Sequence, residues 1–576
     1  MEYINTIIKN AKIYTIDNKN QIQEALVVKD EKIIYVGSNE GADKFINDKS
    51  KIIDAKNNIL LPGFIDSHIH PPGTALTELY EVSLYGLNSI EEYKDAINEF
   101  ISKNPNIKTV YGRGWSLGIF EGEELAKGPK KEHLDEISKD IPIILRAYDG
   151  HTIWLNSKAM KKFNININTT CPEGGKIEID EKNNELWGTL KESATHLIEE
   201  HNYTDEEYMK AFELFQSKMH EYGITSILSM SGLNWGMSPK VFKTLYEQNK
   251  LKMRISNSII IFSDESAINQ IDEIKKVRED YDSNYFKTTT VKLLGDGVVE
   301  GSTAYLLKPY EIGAGRGNKY YGEFLWNEKD LVEAIKYANE NNFSIHVHSV
   351  GDGSTKKVLD AIEKSYELNN KCDFRNTITH LQLVDEKDIK RFKDLNIIAA
   401  VQPYWHIKGP KWWDEVDYKL LGERAKYEYP LKSFIKEGVK IASSSDHSVT
   451  PIPNPFYAIE AGVTRNLYNS KYFGIEDIDN MDDLTYLLNK DERVSVEDMV
   501  KSFTINGAYS IFRDKEIGSI EVGKYADFII IDKDIFNINP IDIEDTKVLM
   551  TFVGGELVYK EGTVKHDIEY TIKGKS

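Results

Sequence analysis

Cysteine is almost absent from this chain, which has two cysteines among its 576 residues. So few cysteines exclude a disulfide framework and any zinc site that is built from cysteine clusters. A bound metal ion would have to be held by nitrogen and oxygen atoms. The 13 histidines of the chain are the main source of such nitrogen atoms.

Basic residues are also in deficit: 72 lysines and arginines stand against 92 aspartates and glutamates, which gives a formal net charge of −20. A net-acidic surface repels phosphate, so we expect no nucleic-acid partner. Hydrophobic residues make up 40% of the chain and aromatic residues 11%. This composition supports a sizeable core and excludes wholesale disorder.

Long apolar runs are missing as well. No stretch approaches 18 uninterrupted apolar residues, so we expect no membrane-spanning helix. The first residues, MEYINTIIKNAKIYTID, lack the basic and apolar regions of a signal peptide. We therefore expect a cytoplasmic protein that acts on a small-molecule substrate, without a membrane partner, either as a monomer or as a homodimer.

Both ends of the chain read as short β-strands. Residues 3–60 partly alternate apolar and polar residues between turns, and the last sixty residues do the same, with a hairpin turning at Gly554-Gly555. Each end alone would bury little surface. The pattern favours one small β-sandwich domain assembled from residues 1–61 and 516–576, and the alternative is two independent small sheets.

The middle of the chain, 62–515, alternates strands with helices, which indicates a parallel sheet. Eight repeated units predict an α/β fold, a (β/α)8 TIM-type barrel. The stretch between the first two strands is too long for a crossover, so we expect an insertion at about 75–215. The candidate strands are 60–70, 223–230, 252–261, 288–296, 343–352, 375–383, 396–403 and 439–446.

Histidines lie near the carboxyl ends of several of these strands, where barrel enzymes place their chemistry. The pair His68 and His70 has a spacing of two, so both side chains face the same side of a strand and reach one ion. One such pair is a weak signal. Five histidines on three strands, together with an acid and a lysine on others, are a much stronger one. The set is His68, His70, His346, His348, His380, Asp446 and Lys292.

Lys292 is unusual because it lies inside an apolar strand. One interpretation is a buried ion pair, with Asp296 as the partner. The other is chemical: burial lowers the pKa of a lysine, and the neutral amine reacts with carbon dioxide. The resulting carbamate is an anionic oxygen ligand that can bridge two metal ions.

The ordered motifs of this chain resemble those of the amidohydrolase superfamily. They are LLPGFIDSHIHPPG, VKLLGDG, HVHSVGDGS, THLQLVDE and SSSDHSV, followed by SFTINGAYSIF and IGSIEVGKYADFIIID. The segments GRGW, DGHTIWLNS and WGTLKE are similar to the amidohydrolase-3 branch, which includes N-substituted formamide deformylase-like proteins. The resemblance covers nearly the whole chain.

The resemblance implies a role for each matching residue. His68 and His70 match the ligands of the buried metal, Lys292 the carboxylated lysine that bridges two metals, and His348 and His380 the ligands of the second metal. Asp446 matches the aspartate that binds metal and handles protons, and we expect it to be catalytic. The cofactor implied is one or two divalent ions per chain, with zinc the expected metal and Lys292 as an N6-carboxylated residue.

The expected reaction is hydrolysis of a non-peptide C–N bond in an amide, formamide or cyclic amide by a metal-activated hydroxide. Two alternatives stay open. A metal-dependent lactonase or esterase would use the same hydroxide, and a catalytically silent binding protein would have lost metal ligands. This chain retains a full candidate set, which argues against the silent protein.

Other residues are candidates for substrate contact. Asp149 and His151 follow a strand of the insert, as substrate-binding residues or as turn residues that satisfy the backbone. Trp115 is either a pocket wall or core. His346 is a further ligand, a substrate contact, or a hydrogen-bonding partner of a ligand. The aromatic segment 404–430 is either a lid over the barrel mouth or an oligomer interface.

Overall fold

The chain folds around an eight-stranded parallel sheet, in a computed structural model that describes residues 5–147, 151–172, 175–199, 201–233, 236–368, 373–410, 412–467 and 480–562. Neighbouring strands pair in sequence order from the first to the eighth. The predicted (β/α)8 barrel is thereby confirmed. Its strands are β1 Phe64–Ile69, β2 Ile224–Ser231, β3 Arg254–Ile260, β4 Phe286–Leu294, β5 Ser344–Ser349, β6 Thr377–His380, β7 Ile398–Val401 and β8 Ile441–Ser443.

Backbone hydrogen bonds tie the first strand to the segment that follows the eighth. The amide of Asp446 donates to the carbonyl of His68 at 2.9 Å, and the amide of His70 donates to the carbonyl of His447 at 2.9 Å. The carboxylate of Asp66 also accepts the amide of Ser445. These bonds close the barrel at the position where β1 and β8 end, and they fix the two loops against each other.

Helices alternate with the barrel strands and cover them, as the repeated βα pattern predicts. Each strand from β2 onward is followed by at least one helix, and the capping side chains Ser238, Ser266, Asn327, Asp385 and Asn454 accept backbone N–H groups where five of these helices begin. From Asp205 onward, the described α-helices of at least six residues are Asp205–Glu221, Pro239–Glu247, Ala267–Tyr281, Glu328–Glu340, Asp352–Leu368, Glu386–Asp394, Leu431–Lys436, Pro455–Thr464, Val496–Ser502 and Ile505–Ser510.

Both ends of the chain form one β-sandwich, as predicted. Strand Ile59–Pro62 pairs antiparallel with Phe528–Ile531, so residues from the two ends share a six-stranded sheet. A four-stranded sheet packs against it over a shared apolar core. The six strands are, in order, Glu556–Lys560, Val548–Val553, Phe528–Ile531, Ile59–Pro62, Lys12–Tyr14 and Ile22–Gln23, and the four are Lys32–Gly37, Ala25–Lys29, Thr6–Lys9 and Lys51–Asp54.

The predicted hairpin at Gly554-Gly555 is present between the last two strands. Both glycines have positive φ, 56° and 74°, which the tight turns of two-residue hairpins require. The candidate strand 60–70 is different from the prediction, because it is two strands. Its first part belongs to the sandwich and its second part is β1, with Gly63 between them. A Cβ at Gly63 would lie 2.3 Å from the Thr225 hydroxyl, so only glycine fits at this junction.

Residues Thr74–Phe212 form a separate compact unit within the chain. Its six-stranded sheet has its own core, in which Trp115 and Trp154 are fully buried. The strands are, in order, Lys176–Asp180, Glu185–Lys191, Thr152–Leu155, Ile143–Ala147, Val110–Trp115 and Val82–Ser83, and the helices include Ala75–Tyr80, Ile90–Lys103, Gly122–Lys127, Lys131–Asp135 and Ser157–Lys162. No helix among the described residues is both long and apolar enough to cross a bilayer.

Candidate metal centre

The barrel brings four of the predicted ligands to the carboxyl ends of its strands. His68 lies on β1, Lys292 on β4, His348 on β5 and His380 at the end of β6. The strands are parallel and in register, so Lys292 pairs with His346 and Leu294 with His348. The side chains therefore meet at the same end of the barrel, where the sequence placed the chemistry.

Among the predicted ligands, the side chains of His68, His70 and Asp446 lie closest together. Oδ1 of Asp446 lies 3.1 Å from Nε2 of His70 and 3.4 Å from Nε2 of His68. One ligand atom of each residue lies within 4.8 Å of the others, a spacing that fits a shared metal ion. His68 and Asp446 are buried, whereas the side chain of His70 is 38% exposed, so this trio is open to solvent on one side.

The donor set fits a divalent cation. Oδ1 of Asp446 is buried and has no hydrogen-bond partner among the described residues, although two imidazole nitrogens lie beside it. A buried carboxylate oxygen without a donor is costly unless a cation or another polar group completes its surroundings. Imidazole nitrogen and carboxylate oxygen are the ligand types that zinc accepts.

Burial keeps His68, His348 and His380 neutral, as metal ligation requires. Burial, reinforced by the nearby Lys292 charge, lowers the pKa of His348 to about 4. The pKa of His68 lies well below its ordinary value for the same two reasons, and that of His380 is lowered by burial, His348 and Lys292. All three imidazoles therefore have a free lone pair at neutral pH.

The hydrogen bonds of His348 and His380 indicate which ring nitrogen of each residue has a lone pair available to a metal ion. Nε2 of His348 lies 3.0 Å from the carbonyl of Gly297, which only accepts, so this nitrogen carries the proton and Nδ1 is free. Nδ1 of His380 lies 3.0 Å from Oε1 of Gln402, which leaves Nε2 free. The two rings are 4.4 Å apart between centroids.

The backbone is strained at two of these positions. His380 has a φ of 77° and Asp446 a φ of 55°, in the left-handed region that side chains other than glycine rarely adopt. Such residues persist only when their surroundings impose the conformation, and they concentrate at functional sites. Both residues lie among the candidate ligands at the end of the barrel.

Lys292 points into the same cluster. Its Nζ lies 3.5 Å from Nε2 of His68. Burial lowers the lysine pKa to about 7, so a large fraction of the amine is neutral at physiological pH. The suggested partner, Asp296, instead accepts hydrogen bonds from the backbone amides of Tyr305, Val350 and Gly351. Among the described residues, no ion pair within 4 Å joins Asp296 to Lys292. Asp296 is therefore not an ion-pair partner of Lys292.

His346 lies behind the predicted ligands. Its Nε2 is 3.0 Å from Nδ1 of His68, and the residue is fully enclosed by protein. His346 is therefore a hydrogen-bonding partner of the predicted ligand His68, which is one of the three roles that the sequence left open. A hydrogen bond of this kind orients the His68 ring and sets which of its nitrogens is free.

The three candidates in the insert belong to the unit Thr74–Phe212. Trp115 is part of that unit's core, and its indole N–H donates to the carbonyl of Leu145 at 2.8 Å. This placement is that of a core residue. His151 is exposed, with Nδ1 3.1 Å from a carboxylate oxygen of Glu192. Asp149 lies outside the described residues.

The aromatic segment 404–430 is folded against the loop that follows β4. The guanidinium of Arg424 donates to the carbonyls of Lys308 and Pro309, and apolar residues of both segments share one core. At the other end of the segment, the ring of Trp405 stacks on His380 at 5.8 Å. Trp412 and Tyr427 are exposed. The segment thus contributes directly to the surroundings of His380, and the choice between lid and interface stays a prediction.

Gln402 and Thr379 are site residues that the sequence reasoning missed. Both lie at strand ends beside the histidines, and both are fully buried. A polar residue at the carboxyl end of an apolar strand, as in IIAAVQP, was the available signal. An amide is not among the usual ligands of zinc, so this signal alone does not mark Gln402 as part of a metal site.

Comparison with known proteins agrees with this geometry. The Amidohydrolase family model matches residues 51–559. The putative amidohydrolase YtcJ of Bacillus subtilis is 26% identical over 95% of this chain and 98% of its own length. The N-substituted formamide deformylase of Arthrobacter pascens is 23% identical over 96% of this chain and 98% of its own length.

A solved structure supports the same assignment. An uncharacterized metal-dependent hydrolase from Pyrococcus furiosus superposes with a TM-score of 0.72, at 25% identity, over 92% of this chain and 100% of that one. The family match spans most of the chain, including every strand of the barrel. The chain therefore belongs to the amidohydrolase family and is a metal-dependent hydrolase.

Proposed function

We propose that this protein hydrolyses a non-peptide C–N bond in a small-molecule amide, formamide or cyclic amide, with zinc as its metal. The observation that carries the proposal is the convergence of Nε2 of His68 and Nε2 of His70 on the unpartnered Oδ1 of Asp446. These three residues would hold one divalent ion. A divalent cation supplies two things to hydrolysis: it lowers the pKa of water, and it polarises a carbonyl group.

A second ion would be held by His348, through Nδ1, and by His380, through Nε2. Carboxylated Lys292 would add an anionic oxygen between the two sets of ligands. The proximity of the lysine to His68 and its lowered pKa support this modification, because carbon dioxide reacts only with the neutral amine. With Lys292 carboxylated, the protein would hold two ions. Without carboxylation, it would hold one ion, bound by His68, His70 and Asp446.

Asp446 is the proposed proton carrier. Its carboxylate accepts the proton that the attacking water loses and delivers it to the nitrogen that leaves when the C–N bond breaks. Backbone hydrogen bonds between the segments that contain Asp446 and His68 hold the carboxylate in place during both transfers. Trp405, stacked on His380, covers one face of that imidazole.

The relative from Arthrobacter pascens, an N-substituted formamide deformylase, makes formamides the first substrates to test. An ester or lactone would present the same carbonyl to the site, so the pocket decides between the two classes. We propose the C–N bond because a nitrogen is a poorer leaving group than an alkoxide unless it is protonated, and the carboxyl group of Asp446 would supply that proton.

The proposal is tested on protein purified without chelators. Mass spectrometric metal analysis is expected to give one or two zinc ions per chain, and a panel of N-substituted formamides, cyclic amides and lactones is expected to give hydrolysis of a C–N substrate. His68→Ala should lose metal and activity, whereas His133→Ala, a histidine of the insert that pairs with Glu124, should retain both. Metal-free protein that stays inactive with added zinc or manganese would contradict the proposal, and hydrolysis of lactones alone would favour the esterase.

A further inference from the structure

Gln402 follows β7 directly and makes three side-chain hydrogen bonds inside the barrel. Its Oε1 lies 3.0 Å from Nδ1 of His380, and its Nε2 donates to Oγ of Ser444 at 2.8 Å and to Oγ1 of Thr379 at 3.3 Å. The residue is completely buried. Its amide thus joins the ends of β6, β7 and β8 immediately behind one of the proposed metal ligands.

The orientation of this amide follows from its neighbours. The hydroxyl of Ser444 donates to the carbonyl of Val401 at 3.3 Å, so its oxygen is available to accept a hydrogen bond from Gln402. The amide nitrogen of Gln402 faces this hydroxyl, to which it donates at 2.8 Å. The amide oxygen then faces His380.

An amide oxygen only accepts hydrogen bonds, so the nitrogen of His380 that faces it must carry a hydrogen. A neutral imidazole has one protonated nitrogen. Nε2 of His380 therefore keeps its lone pair, and the stacked ring of Trp405 at an interplanar angle of 17° holds the plane of the imidazole. The bond and the stack together leave the ring one tautomer and one orientation.

We propose that Gln402 is a positioning residue that holds His380 as the Nδ1–H tautomer and thereby presents Nε2 as the metal-binding atom. The tautomer is a property of the protein with or without metal. Only its consequence for metal binding rests on the proposed function. Partners that orient a ligand histidine in this way change metal affinity by about 10- to 100-fold when they are removed.

The test begins with metal-free protein labelled with 15N in histidine. Long-range proton–nitrogen correlation spectra distinguish the two tautomers, and a His380→Asn spectrum identifies the His380 signals. The Nδ1–H tautomer is expected in the parent protein and in Gln402→Glu, whose carboxylate also only accepts. Gln402→Leu should populate the Nε2–H tautomer. An unchanged Nδ1–H signal in Gln402→Leu, or an unprotonated Nδ1 in Gln402→Glu, would overturn the proposal.

The second measurement is the zinc dissociation constant by competition with a chelator. Gln402→Leu is expected to bind zinc about 10- to 100-fold more weakly than the parent, and Gln402→Glu to stay much closer to it. Asn376→Leu is the matched control, because Asn376 is equally buried before β6 but bonds to Asn339 and Tyr366. It should be less stable with unchanged zinc affinity and tautomer. If Asn376→Leu weakens zinc binding as much, the effect is one of stability and the proposal fails.

A third outcome is a change of tautomer in Gln402→Leu without a change in zinc affinity. It would support the positioning role of Gln402, because the tautomer depends on it. It would at the same time remove His380 from the set of ligands in the proposed function.

Discussion

Nε2 of His70 lies 3.1 Å from Oδ1 of Asp446, although the two residues follow the first and the last strand of the barrel. Closure of the barrel creates this contact, because the amide of His70 bonds to the carbonyl of His447 and the amide of Asp446 to the carbonyl of His68. The candidate metal site of His68, His70 and Asp446 is therefore part of the seam at which the barrel closes.

Asp446→Asn should lower the rate of hydrolysis without changing the fold. The amide keeps the size of the side chain and cannot carry the proton, so we expect the kcat for the C–N substrate to fall by about 10²- to 10⁴-fold. Circular dichroism should show an unchanged fold. Asp545→Asn, an exposed position in the sandwich, is the control and should keep the parental rate. A parental kcat in Asp446→Asn would remove this residue from catalysis.

Lys292 should react with carbon dioxide to form a carbamate. Protein equilibrated with 13C-bicarbonate at pH 8, above the lysine pKa of about 7, is expected to give a carbamate signal in its 13C spectrum. The signal should weaken as the pH falls below 7, because protonation removes the reactive amine. Lys292→Arg, which stays protonated, should give no signal. Identical spectra from the parent and from Lys292→Arg would exclude the modification.

Arg254 joins the barrel to the sandwich. Its guanidinium donates to both carboxylate oxygens of Asp527, at 2.6 and 3.0 Å, between the rings of Tyr285 and Tyr525. Asp527→Asn leaves this buried charge with only the more distant carboxylate of Glu31, at 3.9 Å, so we expect the free energy of unfolding to fall by about 3 kcal/mol. Denaturation in urea measures it.

The paired replacement Arg254→Met with Asp527→Leu removes both charges and should cost less than Asp527→Asn alone, because no unpaired charge stays buried. A double variant that is less stable than the single variant would show that the pair itself, and not the unpaired charge, stabilises the joint.

His220 should make the protein sensitive to acid. Burial lowers its pKa from an ordinary 6.5 to about 4, so protonation favours the unfolded chain below pH 6.5. The stability is fully present above pH 6.5 and is lost as the pH falls toward 4, by about 3 kcal/mol from this one group. In His220→Gln, the free energy of unfolding should decline less between pH 7 and pH 4. Equal declines in both proteins would show that His220 does not contribute.

Local patterns were sufficient for the architecture. Alternation and turn residues marked the strands of both ends, and the hairpin at Gly554-Gly555 needed only two residues that tolerate positive φ. Eight apolar segments between helical stretches predicted the barrel, because a parallel strand requires a long crossover. The exception is the segment 60–70, where Gly63 divides one apolar run between two sheets, and no local signal states which sheet each half joins.

The individual roles of the histidines needed the tertiary structure. His346 and His348 have the same spacing as His68 and His70, yet His346 bonds to His68 from behind while His348 bonds to the carbonyl of Gly297. Spacing along a strand places side chains on one face. It does not determine what packs against each ring from neighbouring strands.

The sequence by itself determined the chemistry that is available: a near absence of cysteine, a set of histidines at strand ends, one lysine in an apolar strand and the family of the chain. The tertiary structure decided how those groups are used. It brought His70 to Asp446 through barrel closure, excluded the ion pair between Lys292 and Asp296, and placed Gln402 behind His380. The reason is physical, since these contacts join residues far apart in the chain, and burial and hydrogen bonding between strands fix their geometry.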